Sequence, residues 1–258
     1  MGIIDKFCLK DKVSVVSGGA GQYGRFIVKG LAEAGAIVYV VSRNIDRCEK
    51  LAAELREKNY NVFSGYLDIG ETNSIVALYE KILKEQNKVD ILVNNAVLRP
   101  MKHYDDPIEN FDLSMKINAT GIMNTTRIFV QNMIQRKTGT IINISSMMGV
   151  IGPDFTLYEG TDMDAPPDYF FHRGGLISLT RYLAARYGQY NIRVNCISPG
   201  GLYSNQPKVF VERYKKRTFL GRMADGEDIK GPVVFLASDA SSYITGENIL
   251  MDGGYTQK

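Results

Sequence analysis

Seven short runs of β-branched and other apolar residues recur along the 258-residue chain, and helix-like segments separate most of them. Continuous apolar runs of this length are typical of parallel strands that are buried on both faces. Strands that alternate with helices indicate βαβ units. The sequence therefore predicts an α/β fold in one domain, residues 1–258, with a doubly wound parallel sheet flanked by helices. The seven predicted strands are KVSVVS, AIVYVVS, NVFSGY, DILVNN, GTIINIS, IRVNCIS and ENILMD.

Two long connections interrupt this alternation of strands and helices. The first, MMGVIGPDFTLYEGTDMDAPPD, is rich in Gly, Pro and Asp and follows the fifth predicted strand. The second, LYSNQPKVFVERYKKRTFLGR, comes after VNCISPGG. Both follow the carboxyl ends of strands, where open α/β sheets bind ligands, and long loops in compact domains are commonly functional. We therefore expect lid-like segments at about residues 147–168 and 201–222.

Composition and charge argue against several classes of protein. The formal net charge of +3 is small and evenly distributed, unlike that of a nucleic-acid-binding protein. The first ten residues lack the apolar stretch of a signal peptide, and no segment approaches the roughly 18 apolar residues of a membrane span. His103 and His172 lack the spacing of metal ligands, as do the three cysteines, Cys8, Cys48 and Cys196. We expect a cytoplasmic protein without a metal, a membrane or a nucleic-acid partner.

A glycine-rich turn joins the first predicted strand to the first predicted helix. The segment VVSGGAGQYGRF places Gly18, Gly19, Gly21 and Gly24 at this junction. Glycines let the backbone approach a pyrophosphate, and the helix N-terminus offers free N–H groups and the positive end of its dipole. A P-loop is excluded because no Gly-Lys-Ser/Thr follows the turn. A glycine turn without a ligand is the remaining alternative.

Short motifs along almost the whole chain resemble those of short-chain dehydrogenases/reductases. SGGAGQYG is similar to the family's Thr-Gly-x-x-x-Gly-x-Gly turn, with Ser17 for the threonine and Gln22 for the middle glycine. NNAV is similar to Asn-Asn-Ala-Gly, with Val97 replacing the glycine. The motifs YLDI, KINATG, IINISS, IRVNCISPGG and ITGENILMDGG complete the set in the family's order. Each motif alone is weakly specific, but the ordered set implies a Rossmann-type oxidoreductase that binds a nicotinamide dinucleotide.

The resemblance also implies which residues contact that dinucleotide. The glycine turn would bind the pyrophosphate, Asp68 would contact the adenine, and Pro199 and Gly200 would meet the nicotinamide. Ser204 stands where the family often has a threonine that faces the cofactor amide. The predicted cofactor-binding residues are Ser17, Gly18, Gly19, Gly21, Gln22, Tyr23, Gly24, Ser42, Arg43, Asp68, Ile69, Asn95, Ala96, Pro199, Gly200 and Ser204.

The end of the second predicted strand bears on the choice between NADP and NAD. A carboxylate there would bind the adenosine ribose hydroxyls and repel a 2′-phosphate, whereas an arginine would pair with that phosphate. The strand IVYVVSRN ends in Ser42 and Arg43, and the first acid after it is Asp46. These residues favour NADP(H). An NAD site beside a solvated Arg43 is the alternative.

Hydride transfer at a carbinol carbon requires a group that takes or gives the hydroxyl proton. A tyrosine, with a free pKa of about 10, can do so near neutral pH only if positive charge stabilises its phenolate. In the family, a lysine four residues after the tyrosine supplies that charge, a serine polarises the substrate oxygen, and an asparagine holds a water in the proton path. The resemblance assigns the serine to Ser146 and the asparagine to Asn118.

Two tyrosines are poor candidates for the catalytic residue. Tyr158 lies at the customary distance from the serine, but Asp162, four residues on, would oppose phenolate formation. Tyr182 has Arg186 four residues on, yet it lies in the middle of a predicted helix, well past the site.

The segment DYFFHRGG contains the remaining pair, Tyr169 and Arg173, at the start of that predicted helix. Arginine keeps the positive charge of the family's lysine, but its planar guanidinium differs in shape from an ammonium. We therefore predict Tyr169 and Arg173 as the catalytic pair, with YEGTDMDAPPD as an insertion before it. A weakly active or non-catalytic dinucleotide-binding homologue is the alternative.

Two segments bear on the substrate. PDFTLYEGTDM and GGLYSNQPKVFVERY resemble, more narrowly, bacterial flagellin-modification oxidoreductases and gluconate 5-dehydrogenases. This resemblance implies a polyhydroxylated, anionic carbohydrate as substrate and a homodimer or homotetramer. Candidate partners of the sugar hydroxyls are Tyr158, Glu159, Asp162, Asp164, Asn205 and Gln206. Basic residues after Pro199 could bind the anion or form a solvated helix face: Lys208, Arg213, Lys215, Lys216, Arg217 and Arg222.

Overall fold

The computed structural model describes residues 2–257, and its centre is a seven-stranded parallel sheet of order β3-β2-β1-β4-β5-β6-β7. Each strand begins and ends within about one residue of its predicted bounds, and in most of the strands the apolar run that defines it is buried. The strands are β1 Val13–Ser17, β2 Ile37–Ser42, β3 Val62–Tyr66, β4 Ile91–Asn94, β5 Gly139–Ile144, β6 Ile192–Pro199 and β7 Asn248–Met251.

Helices cover both faces of this sheet. They are α1 Gly24–Glu33, α2 Ile45–Arg56, α3 Thr72–Gln86, α4 Ile108–Met115, α5 Ile122–Arg136, α6 Pro167–Tyr187, α7 Lys208–Arg217 and α8 Lys230–Ala237. A π-helical segment, Lys116–Gly121, joins α4 to α5. Within residues 2–257, no helix has the length and apolar character that a bilayer crossing requires.

Two apolar layers hold the helices against the sheet. Val16 of β1 packs in the layer that contains α1, α2 and α8, whereas Val13 and Val15 pack in the layer that contains α3, α5 and α6. This division follows from the strand geometry, since successive side chains point to opposite faces. The predicted doubly wound α/β fold is thereby confirmed.

The strand order reverses direction at β1, which pairs with β2 on one side and β4 on the other. In open α/β sheets, ligands bind outside the carboxyl ends of the strands at such a reversal. The glycine turn follows β1 at this edge, and residues 95–102 follow β4.

The two predicted lid-like segments pack against one another. The first, predicted at about residues 147–168, lies between β5 and α6, and the second contains α7. Below, the insertion means residues 150–166 of the first segment, a range that begins before the predicted YEGTDMDAPPD. A separate cluster of buried side chains joins them: Met147, Leu157, Phe210, Val211, Tyr214, Met223 and Tyr255. Arg217 of α7 forms an ion pair with Asp154 of the insertion, and Arg213 donates to the carbonyl of Glu159.

Candidate active site

The glycine turn brings its backbone into close contact with itself and with the ends of β1 and β4. A Cβ on Gly24 would lie 2.2 Å from the carbonyl oxygen of Gly18, and one on Gly18 would lie 2.8 Å from Cα of Ala96. Gly18 also has φ = +62°, a conformation that favours glycine. The turn leads directly into α1, so the helix N-terminus faces the edge of the sheet where a pyrophosphate can bind.

A cleft of about 800 Å³ runs along this edge. Predicted cofactor-binding residues that line it are Gly18, Gly21, Gln22, Tyr23, Ser42, Arg43, Asp68, Ile69, Asn95, Ala96, Pro199 and Gly200. Predicted catalytic residues that line it are Ser146, Tyr169 and Arg173. The structure therefore brings most of the predicted site together around one cavity, whose volume falls within the usual range for ligand sites.

Ser17, Gly19 and Gly24 lie behind the cleft wall rather than in it. The Ser17 hydroxyl donates to the carbonyl of Val93 (3.2 Å) and accepts from the N–H groups of Asn95 and Ala96. These residues shape the turn and tie β1 to β4, so we expect them to support the ligand's position rather than to contact it.

Two hydrogen bonds connect the glycine turn to the segment after β6. Gln22 donates through Nε2 to the Ser204 hydroxyl at 3.1 Å, and the Tyr23 hydroxyl donates to the Gly200 carbonyl at 3.2 Å. Ser204 thus lies beside the turn although it does not line the cleft itself.

One end of the cleft is formed by the carboxyl end of β2. Ser42, Arg43, Asn44 and Arg47 line it there. Asn44 caps α2 by accepting from the N–H of Arg47 at 3.0 Å, which fixes the first turn of that helix. Two exposed guanidinium groups, those of Arg43 and Arg47, therefore lie at this end of the cleft. Arg47 was missed from the sequence because its place at the cleft depends on the helix cap.

At the other end of the cleft, Tyr169 lies between cations. The guanidinium carbon of Arg173 lies 5.1 Å from the centroid of its ring, and that of Arg99 lies 4.5 Å away. Arg99 also donates through Nη2 to the Tyr169 hydroxyl at 3.2 Å. Sequence reasoning missed Arg99, which lies 70 residues before the tyrosine and outside the family motifs of the sequence.

These surroundings set the acidity of the Tyr169 phenol. Burial raises its pKa, but the positive charges of Arg173 and then Arg99, with hydrogen bonding from Ser146 and Arg173, outweigh burial and lower the pKa to about 8. A tyrosine with this pKa can both accept and give a proton near neutral pH. The arrangement is suited to acid/base chemistry at the phenol oxygen.

The buried backbone around β5 holds Arg173 in place. Its Nη1 donates to the carbonyl of Ile144, and the Ser145 hydroxyl donates to the carbonyl of Arg173 at 2.8 Å. Ser146, the next residue, accepts from the N–H of Met148 at 3.2 Å. Ser146, Tyr169 and Arg173 are thus brought together by the end of β5 and the first turns of α6.

Asn118 lies in the π-helical segment and is buried, outside the cleft lining. Its side-chain amide accepts from the N–H of Leu98 at 2.9 Å and donates to the carbonyl of Leu98 at 2.7 Å and to Ser114 at 3.0 Å. The amide group therefore fixes the segment after β4. π-Helical turns of this kind are frequent at functional sites.

Several of the basic residues after Pro199, which were candidates for an anion site, pair with other protein groups and do not line the cleft. Arg213 and Arg217 pair with the insertion, Arg222 pairs with Asp228, and Lys215 pairs with Glu212. Cations that do line this part of the cleft are Arg99 and Lys102. Of the predicted sugar-hydroxyl partners, Tyr158, Asp164 and Gln206 line the cleft, whereas Glu159, Asp162 and Asn205 do not.

Comparisons with known proteins agree with this arrangement. The family model described as "Enoyl-(Acyl carrier protein) reductase" matches residues 21–256. The "Post-translational flagellin modification protein A" of Campylobacter coli is 30% identical over 253 residues, which cover 96% of this chain and 99% of that protein. The "3-oxoacyl-[acyl-carrier-protein] reductase FabG" of Aquifex aeolicus is 32% identical over 253 residues, 95% of this chain and 98% of that protein.

Solved structures show the same fold over the whole chain. A gluconate 5-dehydrogenase from Burkholderia cenocepacia, in complex with NADP and tartrate, has a TM-score of 0.90 and 26% identity, with 100% of both chains covered. An NAD⁺-bound xylitol dehydrogenase has a TM-score of 0.86 and 29% identity, with 95% of this chain and 99% of that chain covered.

Proposed function

The chain belongs to the short-chain dehydrogenase/reductase family and is an oxidoreductase of that family, and we propose that it uses NADP(H) to interconvert a secondary alcohol and a ketone on a polyhydroxylated, anionic carbohydrate. The observation that carries this proposal is the position of Tyr169. Its hydroxyl faces the cleft beside Ser146 and two guanidinium groups, and its pKa is lowered to about 8.

Four residues of the chain have distinct roles in the proton transfer. A bound nicotinamide supplies or accepts the hydride. In ketone reduction, the Tyr169 phenol gives its proton to the carbonyl oxygen, and in alcohol oxidation its phenolate takes the hydroxyl proton. The Ser146 hydroxyl donates a hydrogen bond to the same substrate oxygen. Arg173 stabilises the phenolate, and Asn118 acts as a positioning residue through its bonds to Leu98.

The geometry of the cleft fits a dinucleotide with a 2′-phosphate. The glycines let the turn pack closely against itself and the ends of β1 and β4, and the N-terminus of α1 next to the turn can bind a pyrophosphate. Arg43 and Arg47 supply two guanidinium groups at the ribose end, and the first acid in this segment, Asp46, does not line the cleft. Guanidinium groups bind phosphate through charge-assisted, often bidentate hydrogen bonds.

A binding measurement tests the choice of NADP(H). We expect Arg43→Ala and Arg47→Ala each to weaken NADPH binding about tenfold or more and to change NADH binding little, because each removes one charge-assisted contact of about 1.5–3 kcal/mol. Lys50→Ala, which removes an equal charge from an exposed position of α2 outside the cleft, is the matched control. Equal losses for both nucleotides in the Arg43 and Arg47 variants would contradict the assignment.

The substrate class is supported by the cleft and by the relatives. Arg99 and Lys102 offer positive charge, and Tyr158, Asp164 and Gln206 offer hydrogen-bonding groups for hydroxyls. The gluconate 5-dehydrogenase structure is in complex with NADP and with tartrate, a hydroxylated dicarboxylate. We expect Lys102→Gln to raise the KM of sugar acids about tenfold while leaving that of neutral polyols such as xylitol unchanged.

Turnover is tested with purified protein and a panel of sugar acids, sugar phosphates, sugar nucleotides and neutral polyols, each with NADPH or NADP⁺ and with the NAD counterparts. Nicotinamide absorbance should change with an anionic carbohydrate and should stay constant in Tyr169→Phe. Absence of turnover across the panel would contradict the proposal.

Substituting Arg173 distinguishes an active enzyme from a homologue whose site is impaired. We expect Arg173→Lys to lower kcat, because the shorter ammonium cannot keep both the bond to the Ile144 carbonyl and its place beside the ring. A gain of tenfold or more would instead support a cofactor-binding homologue with an impaired site.

Oligomer formation is common in the family, and we propose a homodimer or homotetramer for this chain. Ile108 of α4 and Phe171 of α6 are 67% and 66% exposed. Apolar surface of this kind on neighbouring helices favours association. Light scattering coupled to size-exclusion chromatography measures the state directly, and a monomer at micromolar concentration would contradict it.

A further inference from the structure

A second arginine contacts the phenol of the proposed proton-transfer site. Arg99 Nη2 donates to the Tyr169 hydroxyl at 3.2 Å, and the guanidinium carbon lies 4.5 Å from the centroid of the ring. Both distances place Arg99 as close to the phenol as Arg173, whose guanidinium carbon lies 5.1 Å from the same centroid. The family motifs do not assign this contact a role, and the proposed function uses Arg99 as positive charge for the substrate.

The architecture around β4 fixes Arg99 in this position. The preceding residue, Leu98, is held by both of its backbone groups through the buried amide of Asn118. The ammonium of Lys102 donates to the carbonyl of Arg99 at 3.0 Å. Pro100 follows directly and restricts the backbone conformation of Arg99. Arg99 is therefore placed by a built segment of chain, although its side chain is exposed.

The environment of Arg173 shows why a second cation is useful. Arg173 is buried, and one arm of its guanidinium donates to the carbonyl of Ile144. Its charge is spread over a planar group rather than concentrated at a compact ammonium. Burial of Tyr169 opposes ionisation, so the phenolate needs enough positive charge around it to offset the loss of water.

We propose that Arg99 is a second cation of the proton-transfer centre, which holds the Tyr169 hydroxyl in place and stabilises its phenolate together with Arg173. This inference rests on the proposed role of Tyr169. A guanidinium that donates to a phenolate oxygen forms a charge-assisted hydrogen bond, which is stronger than the bond to the neutral phenol. Arg99 therefore favours the ionised form and acts on the reacting oxygen.

The test measures the ionisation of Tyr169 without any substrate. The ultraviolet absorbance of phenolate is titrated in the wild type and in Tyr169→Phe, and the difference isolates one of the 15 tyrosines. The same difference is measured for Arg99→Gln and Arg99→Lys, each against its own Tyr169→Phe partner. Near-ultraviolet circular dichroism confirms that every variant is folded across the titration.

We expect Arg99→Gln to raise the midpoint of the Tyr169 titration by about one unit, a tenfold loss of phenolate at a given pH. Opposite charges within about 4–6 Å shift a pKa by one to three units, and the solvent exposure of Arg99 favours the lower value. Arg99→Lys, which keeps the charge, should shift the midpoint less. Arg43→Gln, which removes an equal charge from the other end of the same cleft, should also shift it less.

Two results would overturn the inference. An unchanged midpoint in Arg99→Gln would mean that the contact with the phenol does not affect its ionisation, as for an arginine that serves only to bind substrate. An equal shift in Arg43→Gln would mean that the general field of the cleft is responsible rather than the contact. Because the titration requires no turnover, a failure of the proposed function in the substrate panel leaves this result readable on its own.

Discussion

His172, the second histidine of the chain, allows a quantitative prediction of how acid changes the stability of the fold. His172 lies on α6, is 3% exposed, and has no hydrogen-bond partner for either ring nitrogen within residues 2–257. Burial, followed by the positive charges of Arg173 and Arg99, lowers its pKa from 6.5 to about 3. Other charged or titratable groups near it on α6 are Asp168, one turn earlier, and Tyr169.

The sign of the effect follows from where the proton binds. Above about pH 7 the imidazole is neutral in both the folded and the unfolded chain, so it contributes no pH dependence. Between pH 6.5 and about 3 the unfolded chain takes up a proton that the folded chain refuses, and stability falls as the pH falls. At pH 4.5 this amounts to about two units, or about 3 kcal/mol of lost stability.

The perturbation is His172→Leu, which removes the titrating group from the buried site. Any change in packing is the same at each pH, so the pH dependence of the difference between wild type and variant isolates the imidazole. Thermal unfolding is measured at pH 7.5 and 4.5. With about 2–4 °C per kcal/mol for a chain of this size, the variant should gain roughly 6–12 °C relative to the wild type on going to pH 4.5.

The other histidine provides a matched control. His103 is 57% exposed at its side chain and lies 3.6 Å from the carboxylate of Asp164, a surface pair of the kind that contributes little to stability. His103→Gln should therefore differ from the wild type by nearly the same amount at both pH values. A difference for His172→Leu that does not change with pH would refute the reasoning, because it would mean that the folded and unfolded chains protonate the imidazole alike.

Two further predictions concern the cofactor turn and the paired lid segments. Gly24→Ala should weaken NADPH binding at least about tenfold in a fluorescence titration, because its Cβ would overlap the Gly18 carbonyl, whereas Gly231→Ala, with no atom within 4 Å of its Cβ, should bind normally. Leu157→Ala should cost about 2–5 kcal/mol within the cluster that joins the insertion to α7. Limited proteolysis should then cut both segments, and cleavage confined to the insertion would show that they open independently.

The fold could be predicted closely from the sequence because its signals are local. Each buried parallel strand is a continuous apolar run, so its bounds can be predicted from the sequence. The glycine turn was predicted for the same reason, since the residues at Gly18 and Gly24 must lack a Cβ for the backbone to make its close contacts. The strand order is different, because it depends on pairing between segments that are far apart in the chain.

The site was predicted only where its residues share a short segment. Tyr169 and Arg173 lie one turn apart on α6, and this spacing can be recognised in the sequence. Arg99 reaches the same phenol from a loop 70 residues earlier, a contact that no local pattern contains. The basic residues of α7 illustrate the converse: Arg213 and Arg217 were candidates for an anion site, yet both pair with the insertion once the two segments pack together.

A common positive potential explains two unusual groups on the first turns of α6. Arg173 and Arg99 both lower the pKa of the Tyr169 phenol, and both lower that of the His172 imidazole. The sign is the same because positive charge favours the deprotonated form of either group, whether that form is an anion or a neutral ring.

Burial shifts the two pKa values in opposite directions: it raises that of Tyr169 because it disfavours phenolate, and it lowers that of His172 because it disfavours imidazolium. The cations therefore work against burial at Tyr169 and with it at His172, so an arrangement that makes the phenol reactive near neutral pH also makes the fold sensitive to acid. Removing the charge of Arg99 should consequently make the phenol less acidic and, in the same variant, let the acid loss of stability due to His172 end at a higher pH.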